Sequence, residues 1–423
     1  MWVASKRRWN RRACLGLLLS LCVLHAVQAQ HSLTVAAYPA VDAVIKAAIP
    51  AWKALHPDVD IQLISRQFDD HHTAMTTALS TAGNLPDVMA LEVKKLGRYA
   101  RGSGLEVLSR PPYNLQNLQQ RFVPYTIAQA TNAQGDIVAV PTDIGPGTLL
   151  YRSDLLAKAG ISQAEMVQSW DSYVAAGVKI KASTGAYLLA HARDIKDIVI
   201  RIGIRPGEGL YFDNDGHALV TSARFVQAFE LARAVREQGL DARVNAWSAD
   251  WTEGFKRGTI ATQLSGAWLA GHLNTWLAPN TRGLWHAAPL PQGAFAAYGG
   301  TFYAIPRASP ASNKAMAWEF IQFMTLSRER QLEAFKSQDA FPALLAALDD
   351  PFFEQPIAFL GGQAARVEWR AAAQHIVAVS VHKQDPFADE VIDTELDKVL
   401  TRGKDIKQAL ADAQRLLQQR AHR

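Results

Sequence analysis

Three short apolar segments near the start of the chain constrain its fold more than any other feature. They span residues 33–37, 59–63 and 87–91, begin about 27 residues apart, and are separated by stretches with apolar residues at helical spacing. Strands that alternate with helices at this period form right-handed βαβ units around a parallel sheet. The 423 residues, without a long low-complexity linker, are expected to form two domains between which the chain crosses more than once.

Polar residues stand where these three predicted strands end. In open α/β sheets, ligands bind beyond the carboxyl ends of the strands. The candidate ligand contacts at these ends are Tyr38, Asp69, Asp70, His71 and Glu92. The two aspartates could also begin a helix, whose N-terminus favours acidic side chains. A metal site is the third interpretation, but adjacent side chains cannot all converge on one ion, so we predict no metal there.

The first 29 residues have the pattern of a secretory signal peptide. Five basic residues between Lys6 and Arg12 precede an apolar run over residues 13–24, and Val27 and Ala29 occupy the −3 and −1 positions of a cleavage site after Ala29. A membrane anchor is the alternative, but about 20 apolar residues are needed to span a bilayer. We therefore expect export to the periplasm, by either the general or the twin-arginine route.

This assignment changes the meaning of the net charge and of the cysteines. The chain has 44 Lys and Arg against 39 Asp and Glu, a formal charge of +5 that alone would suggest nucleic acid or an anionic membrane. The signal peptide holds five of the basic residues, none of the acidic ones, and both cysteines, Cys14 and Cys22. The mature chain is therefore electrically balanced and free of cysteine, which argues against nucleic-acid binding, disulfides and thiol chemistry.

Sequence motifs for catalysis do not occur. The sequence has no GxSxG, HExxH or Walker motif, and no GxGxxG follows a predicted strand. The paired carboxylates of a glycoside hydrolase stay open, because their pairing is spatial and leaves no motif. We predict a non-enzymatic protein without a cofactor.

Five separated segments carry a more specific pattern. They are residues 85–108 (LPDV, later GLEVL), 139–161 (AVPTDIGPGTLLYRSDL, later AGI), 169–173 (SWDSY), 255–268 (FKRG, later GAW) and 299–320 (GGTFYAIP, later AWEF). In this order they resemble bacterial extracellular solute-binding proteins of the sugar-binding class, the maltose-binding-protein type that serves ABC importers. The resemblance covers nearly the whole mature chain. One departure is Leu91, where sugar-binding members often carry a Trp, so no particular sugar is implied.

The resemblance implies an α/β, two-lobed periplasmic-binding-protein fold of type II, the Venus-flytrap arrangement, with a hinge between the lobes. The first lobe would comprise residues 30–142 and 298–341, and the second residues 143–297 and 342–423. The implied function is that of a periplasmic receptor, monomeric, that binds a di- or oligosaccharide in the interlobe cleft and delivers it to a membrane permease. Two alternatives stay open: an exported carbohydrate-active enzyme, and the same fold with a polyol phosphate or a polyamine as ligand.

Aromatic side chains that cover the apolar faces of a sugar form one group of candidates. The resemblance places Trp268, in the Gly-Ala-Trp segment, at the family's stacking position. Trp247 and Trp251 are further candidate platforms, although Trp251 could instead pack in the helix that precedes Phe255.

Hydrogen-bonding candidates come from the crossover and from the glycine-rich segments. Asp143 is a good acceptor for sugar hydroxyls, with a hinge turn as the alternative role. Gly300, beside Thr301 and Tyr303, would let the backbone approach a ligand closely, or would form an ordinary turn into a strand. Arg366, after a Gly-Gly pair, could reach the cleft or lie on a solvated helix face.

Overall fold

The computed structural model describes Met1 and residues 31–421. Apart from Met1, the predicted signal peptide and its cleavage site lie outside the described residues. The strands of the described part are β1 (His31–Ala37), β2 (Val59–Ser65), β3 (Val88–Glu92), β4 (Val140–Arg152), β5 (Thr262–Gly266), β6 (Trp285–Ala288) and β7 (Ala297–Ala304).

Helices fill the connections between the strands. The helices before β5 are α1 (Val41–Leu55), α2 (Phe68–Thr81), α3 (Val93–Ala100), α4 (Pro124–Gln129), α5 (Ser153–Lys158), α6 (Gln163–Val167), α7 (Trp170–Thr184), α8 (Ala192–Val199), α9 (Ala223–Glu237) and α10 (Ala249–Arg257). The later helices are α11 (Leu269–His272), α12 (Ala311–Leu326), α13 (Arg328–Gln338), α14 (Leu345–Leu348), α15 (Ala365–His375), α16 (Asp385–Arg402) and α17 (Ile406–Ala421). None of the described helices combines the length and the apolar character needed to cross a membrane.

The first three strands form the predicted parallel unit. Strand β1 pairs in parallel with β2 on one side and with β3 on the other, and α1 and α2 make the two crossovers. The complete order is β2-β1-β3-β7-β4-β5, with β6 also paired to β4. Strand β3 pairs antiparallel with β7, and β4 pairs antiparallel with β5, β6 and β7. The βαβ prediction is therefore confirmed for the first three strands, while the rest of the sheet is antiparallel.

Strand β4 pairs with different strands at its two ends. Val140 and Pro141 at its start pair with β7, whose other edge pairs with β3. Residues 147–152 at its end pair with β5 and β6 instead. The register of β4 with β7 shifts between Pro141 and Asp143 and again between Ile144 and Pro146. Strands β4 and β7 are thus the joining strands, which connect the β1-β2-β3 unit of the sheet to β5 and β6.

Two hydrophobic cores are present, and β4 contributes residues to both of them. The first includes Val35, Trp52 and Phe320, and it takes in the buried faces of α1, α3 and α12. The second includes Phe225 and Leu396, and it takes in the buried faces of α8, α9, α16 and α17. The first core also holds Trp251, Trp285 and Trp369, which the resemblance assigns to the second lobe. The two cores therefore do not coincide with the implied lobes, and the lobe limits stay a prediction.

Candidate ligand-binding site

Three neighbouring strands bring polar side chains together. Thr301 on β7 lies opposite Glu92 on β3 and opposite Asp143 on β4. The Thr301 backbone N–H donates to Asp143 Oδ1 at 3.0 Å, and the hydroxyls of Tyr38 and Thr301 are 2.9 Å apart. The Glu92 carboxylate caps α3 by accepting from the Lys94 N–H at 2.7 Å. We call Tyr38, Glu92, Asp143 and Thr301 the polar floor.

Burial changes the acidity of the polar floor. It raises the pKa of Asp143 to about 7, although the hydrogen bonds from Thr301 lower it, and nearby Glu92 raises it further. Burial also raises the pKa of Glu92, an effect that the Lys94 charge opposes, and the pKa of the Tyr38 phenol. No cation contributes to the shift of Asp143 among the described groups. An acidic oxygen in this position is a strong acceptor for hydroxyl groups of a ligand.

Aromatic rings line the neighbouring surface. The Trp268 Nε1 donates to the Tyr298 carbonyl oxygen at 2.9 Å, which fixes the orientation of the indole. The Trp247 ring lies 6.0 Å from Trp268 with planes 14° apart, and 6.4 Å from Trp276 with planes 21° apart. His272 lies 5.3–6.0 Å from all three rings. We call Trp247, Trp268, His272 and Trp276 the aromatic wall.

The aromatic wall leaves much apolar surface open. Trp247 is 57% exposed and Trp276 is 51% exposed, whereas large aromatic side chains are usually well buried. Trp247 also has a φ of +68°, a conformation that is uncommon for a bulky residue and that is found preferentially at functional sites. These two observations make the wall a candidate ligand-binding surface.

Two glycines connect the floor with the wall. Gly299 has a φ of +93°, and a Cβ there would lie 2.9 Å from Trp268 Nε1. Gly300 has a φ of +139°, and a Cβ there would lie 3.1 Å from the Asp143 carbonyl oxygen. A side chain at Gly299 would therefore push the Trp268 indole away, and one at Gly300 would push β4 away. The edge of the Trp268 indole thus contacts β7 at Tyr298 and Gly299, which are three and two residues before Thr301.

Asp339 adds a carboxylate beside the aromatic wall. A Cβ on Gly271, next to His272, would lie 2.1 Å from Asp339 Oδ2, so the carboxylate lies directly against α11. Burial raises the pKa of Asp339 to about 6, and the charge of Arg366 opposes this shift. Two residues after Asp339, Phe341 contacts β4, because its carbonyl oxygen accepts from the Ile144 N–H at 2.9 Å.

Three predicted site residues lie in the packed interior. Trp251 is 2% exposed and packs 4.7 Å from Phe255 and 5.0 Å from Trp247, which it supports from behind. Tyr303 is fully buried on β7, between Ala90 and Val140 of the adjacent strands. Arg366 stacks 4.0 Å over the Phe352 ring and donates to the Gln355 carbonyl at 3.3 Å.

The Asp-Asp-His-His run begins helix α2. Asp69 and Asp70 are exposed in its first turn. His71 is buried, with Nε2 2.7 Å from the Ala90 carbonyl oxygen. His72 Nε2 accepts from the Glu92 N–H at 3.1 Å, and burial lowers the pKa of His72 to about 4. The histidines therefore support the end of β3 behind the polar floor, while the aspartates face solvent.

Sequence reasoning missed three residues of the candidate site, which are His272, Trp276 and Asp339. Trp268, His272 and Trp276 are spaced by four residues along α11 and the π-helical turn Leu273–Leu277 that follows it. That spacing puts them on one helical face, so it could have indicated His272 and Trp276. For Asp339 the sequence offers no comparable signal, because the residue follows the end of α13 and reaches the wall through the tertiary fold.

Comparison with known proteins identifies relatives over most of the chain. A family model described as bacterial extracellular solute-binding protein matches residues 47–360. A lactose-binding protein of Rhizobium radiobacter is 27% identical over 368 residues, 82% of either chain. An arabinooligosaccharide-binding protein of Halalkalibacterium halodurans is 21% identical over 321 residues, which is 73% of this chain and 70% of that protein.

Solved structures share the whole architecture. The ABC transporter associated binding protein from B. animalis subsp. lactis, in complex with β-1,6-galactobiose, aligns with a TM-score of 0.77 and 23% identity over 92% of this chain and 97% of that chain. The fold is thus that of the two-lobed periplasmic binding proteins, as predicted. The chain belongs to the bacterial extracellular solute-binding protein family, and this prediction is confirmed.

Proposed function

We propose that the protein is the carbohydrate receptor of an ABC importer and binds a di- or oligosaccharide between the polar floor and the aromatic wall. The observation that carries this proposal is the pairing of half-exposed indole faces with buried acidic oxygens. A sugar presents both apolar C–H faces and hydroxyl groups, so it matches both surfaces at once. The site would hold one ligand and no cofactor.

The relatives support the same class of ligand. The three proteins compared above are named for lactose or arabinooligosaccharide, or are bound to β-1,6-galactobiose. Each of these ligands has two or more sugar units. A ligand of that length could reach from Asp143 across Trp268 to the outer rings of the wall.

A binding screen with the chain from residue 30 onward tests the ligand class. We expect lactose, β-1,6-galactobiose or an arabinooligosaccharide to raise the melting temperature in a saturable way, because a ligand that binds only the folded state stabilises it by mass action. The same screen includes a polyol phosphate and a polyamine. Stabilisation by either of these, with no response to any sugar, would show that the carbohydrate assignment is wrong.

Chromatography of the sugar after incubation separates a receptor from an enzyme. We expect the sugar to be recovered intact, because the family consists of binding proteins. Release of shorter sugars, lost in the Asp143→Asn and Glu92→Gln variants, would support the carbohydrate-active enzyme instead.

Location and delivery need an experiment in cells. We expect osmotic shock to release a processed chain that begins near Gln30, consistent with a periplasmic protein. Uptake of the labelled sugar should be lost when the gene is deleted, and it should return with the wild-type chain but not with Trp268→Ala. Normal uptake in the deletion strain would exclude a role in import.

A further inference from the structure

A second polar cluster lies where helices of the two cores approach each other, and it adjoins the aromatic wall through Tyr298, whose carbonyl accepts from Trp268. Lys94 is on α3, whose apolar face belongs to the first core, while Asp197 on α8 and Asp389 on α16 belong to helices of the second core. Lys94 Nζ and the Arg201 guanidinium lie 5.5 and 5.1 Å from the Tyr298 ring centroid. We call Lys94, Asp197, Arg201, Tyr298 and Asp389 the interlobe cluster.

The carboxylates of Asp197 and Asp389 favour the charged form of Lys94. Burial alone would lower the pKa of Lys94, but Tyr298, Asp389 and Asp197 raise it above its usual value. In return, the charges of Lys94, Lys196 and Arg201 keep the pKa of Asp389 low in spite of its burial. The charge of Arg201 opposes the two carboxylates but does not outweigh them. A negative potential favours attraction between the lobes over capture of an anion from solution.

Helix α3 also contacts the backbone of the segment that leads into α16, whose Val381 packs in the first core. A Cβ on Gly97 would lie 2.5 Å from the His382 carbonyl oxygen, so the helix lies against the segment that leads into α16. Arg101 at the end of α3 donates from Nε to the Val381 carbonyl at 2.8 Å. Lys94, Arg201 and Asp389 line one cavity, whereas Asp197 forms an ion pair with Lys196 of its own helix. The attraction therefore acts across this cavity.

We propose that Lys94 is an electrostatic latch that stabilises the approach of the two lobes and raises ligand affinity without contacting the ligand. Separation of the lobes would take the lysine away from Asp197 and Asp389 of the second lobe. A ligand that needs the closed state binds more tightly when that state is already populated. The effect on affinity rests on the proposed function, whereas the effect on lobe separation does not.

Single-molecule FRET between the lobes tests the latch directly. The chain from residue 30 onward has no cysteine, so Lys46→Cys on α1 and Lys407→Cys on α17, both exposed, report the distance between the lobes. We expect Lys94→Met to shift the ligand-free distribution toward greater distance, and Lys94→Arg to restore it. Lys158→Met, which removes an exposed lysine on α5, is the matched control and should leave the distribution unchanged.

Affinity measurements separate a latch from a ligand contact. We expect Lys94→Met to weaken sugar binding about tenfold, mainly through faster dissociation. Asp389→Asn should weaken binding as well, and the double variant should lose less than the two single losses combined, as for groups that act on each other. A weaker affinity with unchanged lobe distance, or fully additive losses, would overturn the latch.

Two further outcomes have distinct meanings. Tighter binding of a uronate than of the neutral sugar, lost in Lys94→Met, would make the cavity an anion site and would contradict the latch. Absence of binding by any sugar would remove the proposed function, while the FRET comparison without ligand would still decide whether the latch exists.

Discussion

The polar floor and the aromatic wall, the two surfaces of the proposed site, are built in different ways. The floor lies on strands, where the pairing of Thr301 with Glu92 and Asp143 fixes the side chains through the backbone ladder. The wall lies on a four-residue helix, a π-helical turn and Trp247 with its positive φ. Floor residues are largely enclosed, whereas two of the wall indoles are half exposed.

This difference suggests a division of labour between the two surfaces. Hydrogen bonds are directional, so acceptors on a rigid sheet are suited to choosing between ligands. Burial of apolar surface is not directional and grows with area, so exposed indoles are suited to strengthening the binding of many sugars. We therefore expect changes in the wall to lower affinity broadly, and changes in the floor to alter selectivity and pH dependence.

The largest loss is expected for Trp268→Ala. This indole presents a stacking face and also holds the Tyr298 carbonyl at 2.9 Å, so its removal affects both the wall and the joining strand. We expect a loss of about 2–3 kcal/mol in binding free energy, typical of a central Trp at a binding surface. Isothermal titration with the best ligand of the screen measures it.

Trp268→Phe separates the two roles of this residue. Phenylalanine keeps an aromatic face but cannot donate to Tyr298, so it should recover most of the affinity if stacking dominates. Equal losses in both variants would assign the effect to the position of β7 rather than to contact with the sugar. Unchanged affinity in Trp268→Ala would remove the aromatic wall from the site.

Above pH 7, Asp143→Asn is expected to weaken binding by about 2 kcal/mol, because it removes an acceptor that is charged at that pH. Its effect on stability should have the opposite sign. The pKa of Asp143 is raised from 3.8 to about 7, so between these values the folded protein keeps a proton that the unfolded chain has lost. The stability contributed by this group therefore decreases as the pH rises toward 7.

Thermal melts of Asp143→Asn and of the wild type at several pH values check that sign. Asparagine has no charge to lose, so the melting temperature of the variant should increase relative to the wild type from about pH 5 to about pH 8. A difference that stays constant with pH would show that Asp143 titrates normally. Affinity and stability thus report on the same carboxylate independently.

Trp276→Ala tests the outer end of the wall. The side chain is 51% exposed, so its removal should change the melting temperature little. We expect a loss of about 1 kcal/mol for an oligosaccharide, since one aromatic face is lost, and a smaller loss for a disaccharide. Equal losses for long and short ligands would contradict the idea that the wall extends the site outward.

The same contrast explains what the sequence could predict. Tyr38 and Glu92 were found because residues at the ends of parallel strands meet at one edge of the sheet. The neighbours of Glu92 could not be found in this way, because β7 is inserted between β3 and β4 although it lies about 200 residues later in the chain. Asp143 and Thr301 came instead from the family resemblance.

Predictions based on residue type alone were less informative about the wall and its surroundings. Trp251 and Trp247 are four residues apart in sequence, yet one is 2% and the other 57% exposed, because only Trp251 lies on the inward face of α10. Arg366 stacks on Phe352 because of the way α15 packs. Exposure and helix orientation depend on tertiary contacts, which local periodicity does not contain.

We expect Tyr38→Phe to change affinity and stability least, so this variant tests whether the Tyr38 hydroxyl of the polar floor contacts the ligand. The variant removes one hydroxyl, which is 2.9 Å from Thr301 Oγ1, and keeps the ring that packs on Phe68 and His72. Because one neutral hydrogen bond contributes about 1 kcal/mol, we expect a loss of that size or less in both the free energy of unfolding and the affinity. Urea unfolding and titration calorimetry measure the two losses. If affinity falls much more than stability, the Tyr38 phenol itself donates to the sugar. If only stability falls, Tyr38 supports Thr301 from behind.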